Sequence, residues 1–344
     1  MKNRKPITVL LKDTHLKEDN ITLVESIFIQ AIELCQVRGI KKISHAGDFF
    51  TSRKAQSLDI LNAADRIFRR IRECGIDMDI IPGNHCKTSL TDMSSYLDIF
   101  REVVHVIPEY ECIVIEGISL HFLPYFKEDE GYIDRLLAIK QDLDKSKKNV
   151  LITHIAVNGV ANNDRSLVEN NLTKDLFDDF DMTFIAHYHD ESWIGDKIHY
   201  FPSNYQANYG ETTKKGFTIL YDDLSTEFIE SVFPKYIQVK LDIADQEKIK
   251  EAQLKYKNSP DNVRFIFLGE EAELKSVNKE KFAELGIEVT FNKDSAVPMN
   301  ADDLVKKAGS VSFDRSNINE AFETFCQTKH IEDNSIGKSY LEKI

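Results

Sequence analysis

Cysteine is scarce in this chain of 344 residues and follows no pattern. The five cysteines are odd in number, lie far apart and form no Cys-x-x-Cys pair. This usage argues against a disulfide scaffold and against a thiolate zinc site. Reduced thiols in a reducing compartment remain the simplest interpretation.

Long apolar runs are also missing. No run approaches the roughly 20 apolar residues that span a bilayer. The amino terminus has only a short apolar run before Lys12 and Asp13, whereas a secretory signal needs roughly 7–15 such residues. We therefore expect a cytoplasmic protein without a membrane segment.

The chain has no excess of positive charge, since its formal net charge is −13. Nucleic-acid binding depends largely on basic side chains that meet phosphates, so this balance is a mild argument against such a partner. Residues 38–72 are an exception, with nine basic side chains against three acidic ones. A solvated helix face explains that stretch as well as a nucleic-acid contact does.

The apolar pattern predicts an α/β protein. Strand-like runs at 7–11, 42–46 and 78–81 alternate with two helical patterns, which implies a mainly parallel sheet covered by helices. A second series follows, with ISLHFL, NVLIT, MTFIA and GFTILYD after a hairpin turn at Gly117. Two sheets packed face to face, with helices outside, accommodate both series.

The texture changes near Pro234. Three strand-like runs, separated by charged helical stretches at about 245–258 and 278–285, predict a small α+β module. Beyond Pro298 the chain becomes polar and then shows two short amphipathic helices. We predict three domains, at residues 1–235, 236–297 and 298–344.

Each of five predicted strands is followed by polar residues. In chain order these are Asp13-x-His15, Gly47-Asp48, Gly83-Asn84-His85, His154 and His187-x-His189. Ligands of open α/β sheets bind outside the carboxyl ends of the strands, so these residues are expected to converge on one site.

The residue types favour a pair of metal ions. Imidazole and carboxylate ligands suit Mn, Fe or Zn better than Mg. A single carboxylate such as Asp48 can bridge two ions about 3.5–4 Å apart, the arrangement used for in-line phosphoryl displacement. One such strand ending is weak evidence, since a lone histidine there is more often a capped surface residue than a ligand. Five such endings in order make a purely structural explanation improbable.

This series resembles the signature of the calcineurin-like metallophosphoesterases, which implies a four-layer α-β-β-α sandwich with two divalent ions, Mn²⁺ being expected and Mg²⁺ or Fe left open. The resemblance assigns the first ion to Asp13, His15, Asp48 and His189. It assigns the second ion to Asp48, Asn84, His154 and His187. His85 would act without a metal bond, as general acid or transition-state stabiliser.

Within that superfamily, the segments GDFFTSRKA, THIAVNG and YFPSNYQANYGE resemble the nuclease subunit of SbcCD-type DNA repair complexes, T-even phage relatives included. The resemblance implies a DNA exonuclease or endonuclease whose α+β module caps the DNA. It also implies that the C-terminal helices bind an SMC-like ATPase and that the chain forms a homodimer. Arg53 and Lys54 would approach the DNA backbone.

The chain departs from the family pattern at Cys86, where an aspartate usually orients the preceding histidine. A thiol is the weaker hydrogen-bond partner, so we hypothesise that Cys86 weakens catalysis. Asn204, Tyr205 and Gln206 are candidates for the floor of the site. For Trp193 a buried or edge aromatic is favoured over a DNA-stacking residue, and both interpretations stay open. The other histidines are assigned no role: His45, His105, His121, His199 and His330.

Two further functions stay open. One is a stand-alone phosphoesterase that acts on phosphoproteins or cyclic nucleotides, which leaves the module and the tail helices unexplained. The other is a catalytically weak subunit that binds DNA ends as a scaffold, which leaves the complete set of ligands unexplained.

Overall fold

The computed structural model describes residues 4–90, 92–127, 131–161 and 166–293. Its first sheet has six strands in the order β12-β11-β1-β2-β3-β4. These strands are β1 (Pro6–Leu11), β2 (Lys42–His45), β3 (Asp77–Ile80), β4 (His105–Val106), β11 (Gly216–Tyr221) and β12 (Thr226–Glu230). The first four run parallel, as the alternation of strand and helix patterns predicts.

The second sheet also has six strands, in the order β5-β6-β7-β8-β10-β9. They are β5 (Glu111–Ile115), β6 (Ile118–Leu123), β7 (Lys148–His154), β8 (Met182–Ala186), β9 (Ser192–Ile194) and β10 (Ile198–Tyr200). Strands β6, β7, β8 and β10 are parallel, while β5 and β9 pair antiparallel at the two edges. Gly117 lies in the left-handed region, with φ of 81°, in the predicted turn between β5 and β6.

Three cores separate four layers. Helices α1 (Ile21–Arg38) and α2 (Leu58–Glu73) pack on the outer face of the first sheet, and α3 (Ile133–Gln141) packs on the outer face of the second. Side chains such as Leu10 and Ile152 fill the space between the sheets, whereas Leu11 points to α1 and α2. This alternation is the period-two pattern of a strand that is buried on both faces. The predicted α-β-β-α sandwich is therefore confirmed.

One strand was assigned to the wrong series by the sequence. GFTILYD was grouped with the second set of strands, but β11 pairs antiparallel with β1 in the first sheet. An apolar run shows that a strand is buried without showing which neighbour it pairs with, and the chain returns here to the free edge of β1.

The predicted α+β module is present as a three-stranded sheet in the order β13-β14-β15. Its elements are β13 (Tyr236–Asp242), α4 (Gln246–Tyr256), β14 (Asn262–Gly269), α5 (Glu271–Leu274), α6 (Lys279–Ala283) and β15 (Ile287–Lys293). Among the described residues, those up to 267 and those at 277–291 form one compact unit by contact, and 268–276 and 292–293 belong to a second. The predicted domain boundaries stay predictions, and the tail helices lie outside the described residues.

The stretch Glu18–Arg38 is long and apolar enough to cross a membrane by length and composition alone. In the fold its apolar side chains have another use. Val24, Ile27, Phe28 and Ile32 are buried in the core beneath the first sheet. The apolar content of this helix is thus accounted for by packing.

Candidate metal centre

The carboxyl ends of β1, β2, β3, β7 and β8 meet at one place and carry the polar residues with them. Two groups of three side chains there place their ligand atoms within 4.8 Å of one another. The first group is Asp13, His15 and His189. The second group is Asp48, His154 and His187. Each group offers the mixed imidazole and carboxylate donors that suit a divalent transition metal.

Asp48 lies between the two groups. Its Oδ2 is 3.2 Å from Nε2 of His154, in its own group, and 3.9 Å from Nε2 of His15, in the other. Nε2 of His15 in turn lies 3.0 Å from Nε2 of His189. One carboxylate oxygen thus faces a histidine nitrogen from each group, which is the position that a bridging ligand requires.

Asn84 completes the second group. Its Oδ1 lies 3.0 Å from Nε2 of His154 and 3.2 Å from Nδ1 of His187. The seven residues that the sequence singled out as ligands are therefore brought together, although their separate roles stay predictions.

The backbone at the ligands is held in unusual conformations. Asp13, His15, Asp48 and His187 all have positive φ, at 47°, 46°, 53° and 106°. Such conformations cost on the order of 1–3 kcal/mol each, and they persist where the surrounding structure enforces them. Here the amide of Asp13 donates to the Gly47 carbonyl at 3.0 Å, and the amide of His15 donates to the Asp48 carbonyl at 2.9 Å. Four strained residues at one site indicate a functional constraint.

Ionisation states at the centre match the needs of metal ligands. Burial raises the pKa of Asp13, but Lys12 and the neighbouring histidines outweigh it and bring that pKa to about 2. Burial lowers the pKa of His15 and of His187 to about 4. At neutral pH Asp13 is ionised and the imidazoles of His15 and His187 are neutral. These are the forms in which carboxylates and histidines bind metals.

Neighbouring carboxylates raise the pKa of the two other histidines. Burial acts to lower the pKa of His154, but Asp48 outweighs it and raises the pKa above its usual value. The same holds for His189, whose pKa is raised by its hydrogen bond to Glu211 and by Asp13. The buried carboxylates thus call for cations between them, and the donor set fits two divalent ions.

His85 lies beside both groups. Its amide donates to Oδ1 of Asp48 at 2.8 Å, and its Nδ1 is 2.7 Å from the carbonyl oxygen of Thr51. Because a carbonyl only accepts, Nδ1 carries the proton and Nε2 is left as the free ring nitrogen. His85, His15 and His189 line the same cavity of about 860 Å³. The imidazole is therefore held at the edge of the candidate metal centre.

Cys86 is turned into the core. Its side chain is fully buried, and Sγ accepts the backbone N–H of Phe49 at 3.3 Å. The contact that orients His85 is made by Thr51, a residue that the sequence did not single out. That Cys86 weakens catalysis stays a prediction, and an unchanged turnover rate in Cys86→Asp would contradict it.

Two further residues at the centre gave no signal in the sequence. Lys12 is fully buried, with Nζ 3.6 Å from Oδ2 of Asp13 and 2.6 Å from the Tyr188 carbonyl oxygen. Burial lowers the pKa of Lys12 to about 8. Oε1 of Glu211 lies 2.8 Å from Nδ1 of His189, and its Oε2 forms an ion pair with Nζ of Lys215 at 3.1 Å. Lysine and glutamate usually indicate surface, so neither was assigned a role.

The remaining sequence candidates lie around the cavity. Tyr205 and Gln206 line it, whereas Asn204 is buried and accepts the amide of Lys12 at 3.1 Å. Arg53 is half-buried, with Nε 3.5 Å from the Lys87 carbonyl oxygen, and Lys54 is exposed.

No histidine outside the predicted set belongs to either group within the described part of the chain. Histidines 45, 121 and 199 lie inside strands, and His105 pairs with Asp79. His330 lies outside the described residues.

The comparisons with known proteins give only distant likenesses. No model of a protein family matches the chain, and no curated protein matches it. A dimetal phosphatase from Danio rerio is 11% identical and aligns over 63% of this chain and 93% of its own, with a TM-score of 0.44. The nuclease MPE of Pseudomonas putida is 12% identical and aligns over 56% of this chain and 66% of its own, with a TM-score of 0.28.

Proposed function

We propose that this chain is a two-metal phosphoesterase that hydrolyses phosphodiester bonds, with DNA as its substrate. The observation that carries the proposal is the position of Asp48, whose Oδ2 lies 3.2 Å from His154 and 3.9 Å from His15. Asp13 of the first group also comes within 3.9 Å of a nitrogen of the second, Nδ1 of His154. That nitrogen donates to the Ala46 carbonyl oxygen at 2.9 Å and is therefore not available to bind a metal.

The residues divide between two metal positions. One ion would be held by Asp13, His15, Asp48 and His189. The other would be held by Asp48, Asn84, His154 and His187. Two divalent ions bound there would supply Lewis-acid stabilisation of a phosphate and would lower the pKa of a bound water toward neutrality. Mn²⁺ is the metal that we expect.

The protein's own contribution is positioning. The hydrogen bond from the backbone N–H of His85 to Oδ1 of Asp48 fixes the backbone next to the proposed bridging carboxylate. The carbonyl oxygen of Thr51 fixes the tautomer of the His85 ring. When the ring is protonated, Nε2 also carries a proton, and it can donate to a phosphate oxygen or give that proton to the departing oxygen.

DNA is proposed as the substrate because three segments resemble SbcCD-type nucleases and because the cavity is open and large. The basic side chains of 38–72 give less support than their number suggests. Arg66 pairs with Glu25, Arg69 with Asp65, and Arg38 with Glu227, each at 2.7 Å. The proposed DNA contacts are therefore Arg53 and Lys54, which follow the cavity residue Thr51 in the chain. An SMC-like ATPase bound through residues 298–344, and a homodimer, belong to the same proposal.

The test is Mn-dependent degradation of labelled linear double-stranded DNA by the purified protein, beside hydrolysis of bis(p-nitrophenyl) phosphate. His85→Ala is the site variant. The matched control is His105→Ala, since His105 is half-exposed and pairs with Asp79 away from the two groups.

We expect both reactions to require the metal, to fall by about 100-fold or more in His85→Ala, and to persist in the control. No hydrolysis of either diester at any divalent metal would contradict the proposal. Hydrolysis of the small diester without cleavage of DNA would support the phosphodiesterase activity but not the substrate. Repeating the DNA assay with the ATPase partner would then decide whether DNA is the substrate. Turnover of phosphoproteins or cyclic nucleotides in its place would favour the stand-alone phosphoesterase.

A further inference from the structure

A second cavity of about 480 Å³ adjoins the candidate metal centre. Tyr188 and His189 line both cavities, so the two share a wall that contains a proposed metal ligand. The rest of the second cavity is formed by residues 159–161, 190–194 and 210–213 with Asn208. An occupant of the second cavity would therefore lie next to the proposed ligand His189.

Trp193 offers an aromatic surface in this cavity. It lies on β9, the edge strand of the second sheet, and remains 45% exposed. One face of the indole is covered by the imidazole of His199, at a centroid distance of 3.9 Å and an interplanar angle of 10°. His199 is itself buried, and its Nε2 is 2.9 Å from Oε1 of Glu191. The indole is thus held flat by a fixed neighbour, as a stacking platform requires.

The polar wall of the cavity is unsuited to phosphate. It carries the carboxylates of Asp190, Glu191 and Glu211, and within the described residues it has no exposed lysine or arginine. Nζ of Lys215 reaches Asp190 at 2.7 Å and Glu211 at 3.1 Å from beneath, which balances part of their charge. Both oxygens of Asp190 and of Glu211 already accept hydrogen bonds from protein groups. The acceptor that remains beside the ring is Oε2 of Glu191, whose Oε1 faces His199 and whose side chain is half-exposed. A carboxylate oxygen beside a flat aromatic ring suits a planar, uncharged group with an N–H donor.

We propose that this cavity binds a nucleobase, stacked on Trp193, of the DNA strand whose phosphate lies at the metal centre. The inference rests on the proposed function for the identity of the strand. It divides the substrate between two neighbouring sites, phosphate at the metals and base on the indole. Trp193 becomes a residue that contacts substrate without taking part in the chemistry, and its stacking favours a single-stranded or frayed end, where bases are free.

Trp193 is the single tryptophan in the chain, so it reports its own contacts by fluorescence. The first measurement titrates the full chain in EDTA with hexadeoxyadenylate, with excitation at 295 nm. An abasic hexamer of equal length is the control, because it keeps the phosphates and lacks the bases. We expect quenching by the adenine hexamer only. No quenching, or equal quenching by both, would overturn the proposal.

The second measurement compares Trp193→Ala and Trp193→Phe with the natural chain in hydrolysis. Loss of one stacked base typically weakens binding by about tenfold. The alanine variant is expected to raise KM for the adenine hexamer by that factor, with kcat and the turnover of bis(p-nitrophenyl) phosphate unchanged. The phenylalanine variant is expected to restore most of the loss. An equal fall on both substrates would show a merely structural role and overturn the proposal.

The outcomes separate this inference from the function on which it rests. If bases quench the fluorescence of a protein that hydrolyses no DNA, the base-binding site is supported and the nuclease function is contradicted. DNA hydrolysis without quenching would leave the nuclease standing and remove the base site.

Discussion

Nδ1 of His189 lies 2.8 Å from Oε1 of Glu211, so a proposed metal ligand is fixed by an acid 22 positions further along the chain. The other oxygen of Glu211 receives Lys215 at 3.1 Å. Burial raises the pKa of Glu211, but His189 and Lys215 outweigh it and hold the pKa below its usual value. The acid therefore stays ionised at neutral pH and directs Nε2 of His189 toward the first metal position.

Glu211→Gln is expected to weaken Mn²⁺ binding by about 10- to 100-fold, because partners that orient a histidine ligand affect metal affinity to that extent. The isotherm of Mn²⁺ binding measures it directly, and activity is expected to return at high Mn²⁺. Glu227→Gln is the matched control, since Glu227 lies on β12 and forms ion pairs with Arg38 and Arg4. Equal Mn²⁺ affinity in the Glu211 variant and the natural chain would contradict this role.

Gly83→Ala tests the close approach of two loops at the centre. A Cβ at position 83 would lie 2.2 Å from Oδ1 of Asp48 and 2.5 Å from its backbone nitrogen. The Asp48 carboxylate, which we propose as the bridge, must move, so we expect metal-dependent hydrolysis to fall by about 100-fold while the chain still folds.

Gly39→Ala is the control for that change. Gly39 ends α1 with φ of 67° and has open space around its Cβ position. This variant is expected to lose on the order of 1–2 kcal/mol of stability through left-handed strain and to keep its activity. Thermal unfolding and hydrolysis, measured on both variants, check the contrast. A fully active Gly83→Ala protein would show that Asp48 has more room than the structure gives it.

Much of this site is predictable from the sequence because it depends on strand ends. Asp13, Asp48 and His154 each lie at the end of a recognisable apolar run, and the carboxyl ends of parallel strands lie at the same edge of their sheet. The corresponding edges of the first and second sheets meet at the site. Contacts between residues that are far apart in the chain cannot be predicted in this way. Glu211 reaches His189 from a loop without a strand pattern, and Lys12 is buried although lysine indicates surface. For the same reason β11 was assigned to the wrong sheet, since its own residues do not specify its partner.

His45 makes the metal-free protein sensitive to acid. Its Nδ1 accepts the amide of Gly47 at 3.2 Å, so Nε2 carries the proton and meets Thr14 Oγ1 at 2.7 Å. Burial lowers the pKa of His45 to about 3. His45 therefore takes up a proton near pH 6.5 in the unfolded chain, whereas in the folded chain it stays neutral until the pH is near 3. The resulting stability is present above that pH and is lost as the pH falls from 6.5 toward 3.

From pH 7 to pH 5, His45 alone is expected to remove about 2 kcal/mol of unfolding free energy. Urea denaturation in EDTA at both pH values measures it, in the natural chain and in His45→Gln. The variant loses hydrogen bonds at every pH, so the comparison is the difference in slope with pH. Identical slopes in the two proteins would contradict the assignment of a neutral, buried His45.

The most direct test of the two-metal centre is the electron paramagnetic resonance spectrum of the chain titrated with Mn²⁺, since two ions that share one carboxylate are magnetically coupled. We predict two Mn²⁺ per chain with a coupled spectrum, and loss of that coupling in Asp48→Asn. A single ion per chain, or two ions that show no coupling, would contradict a centre bridged by Asp48.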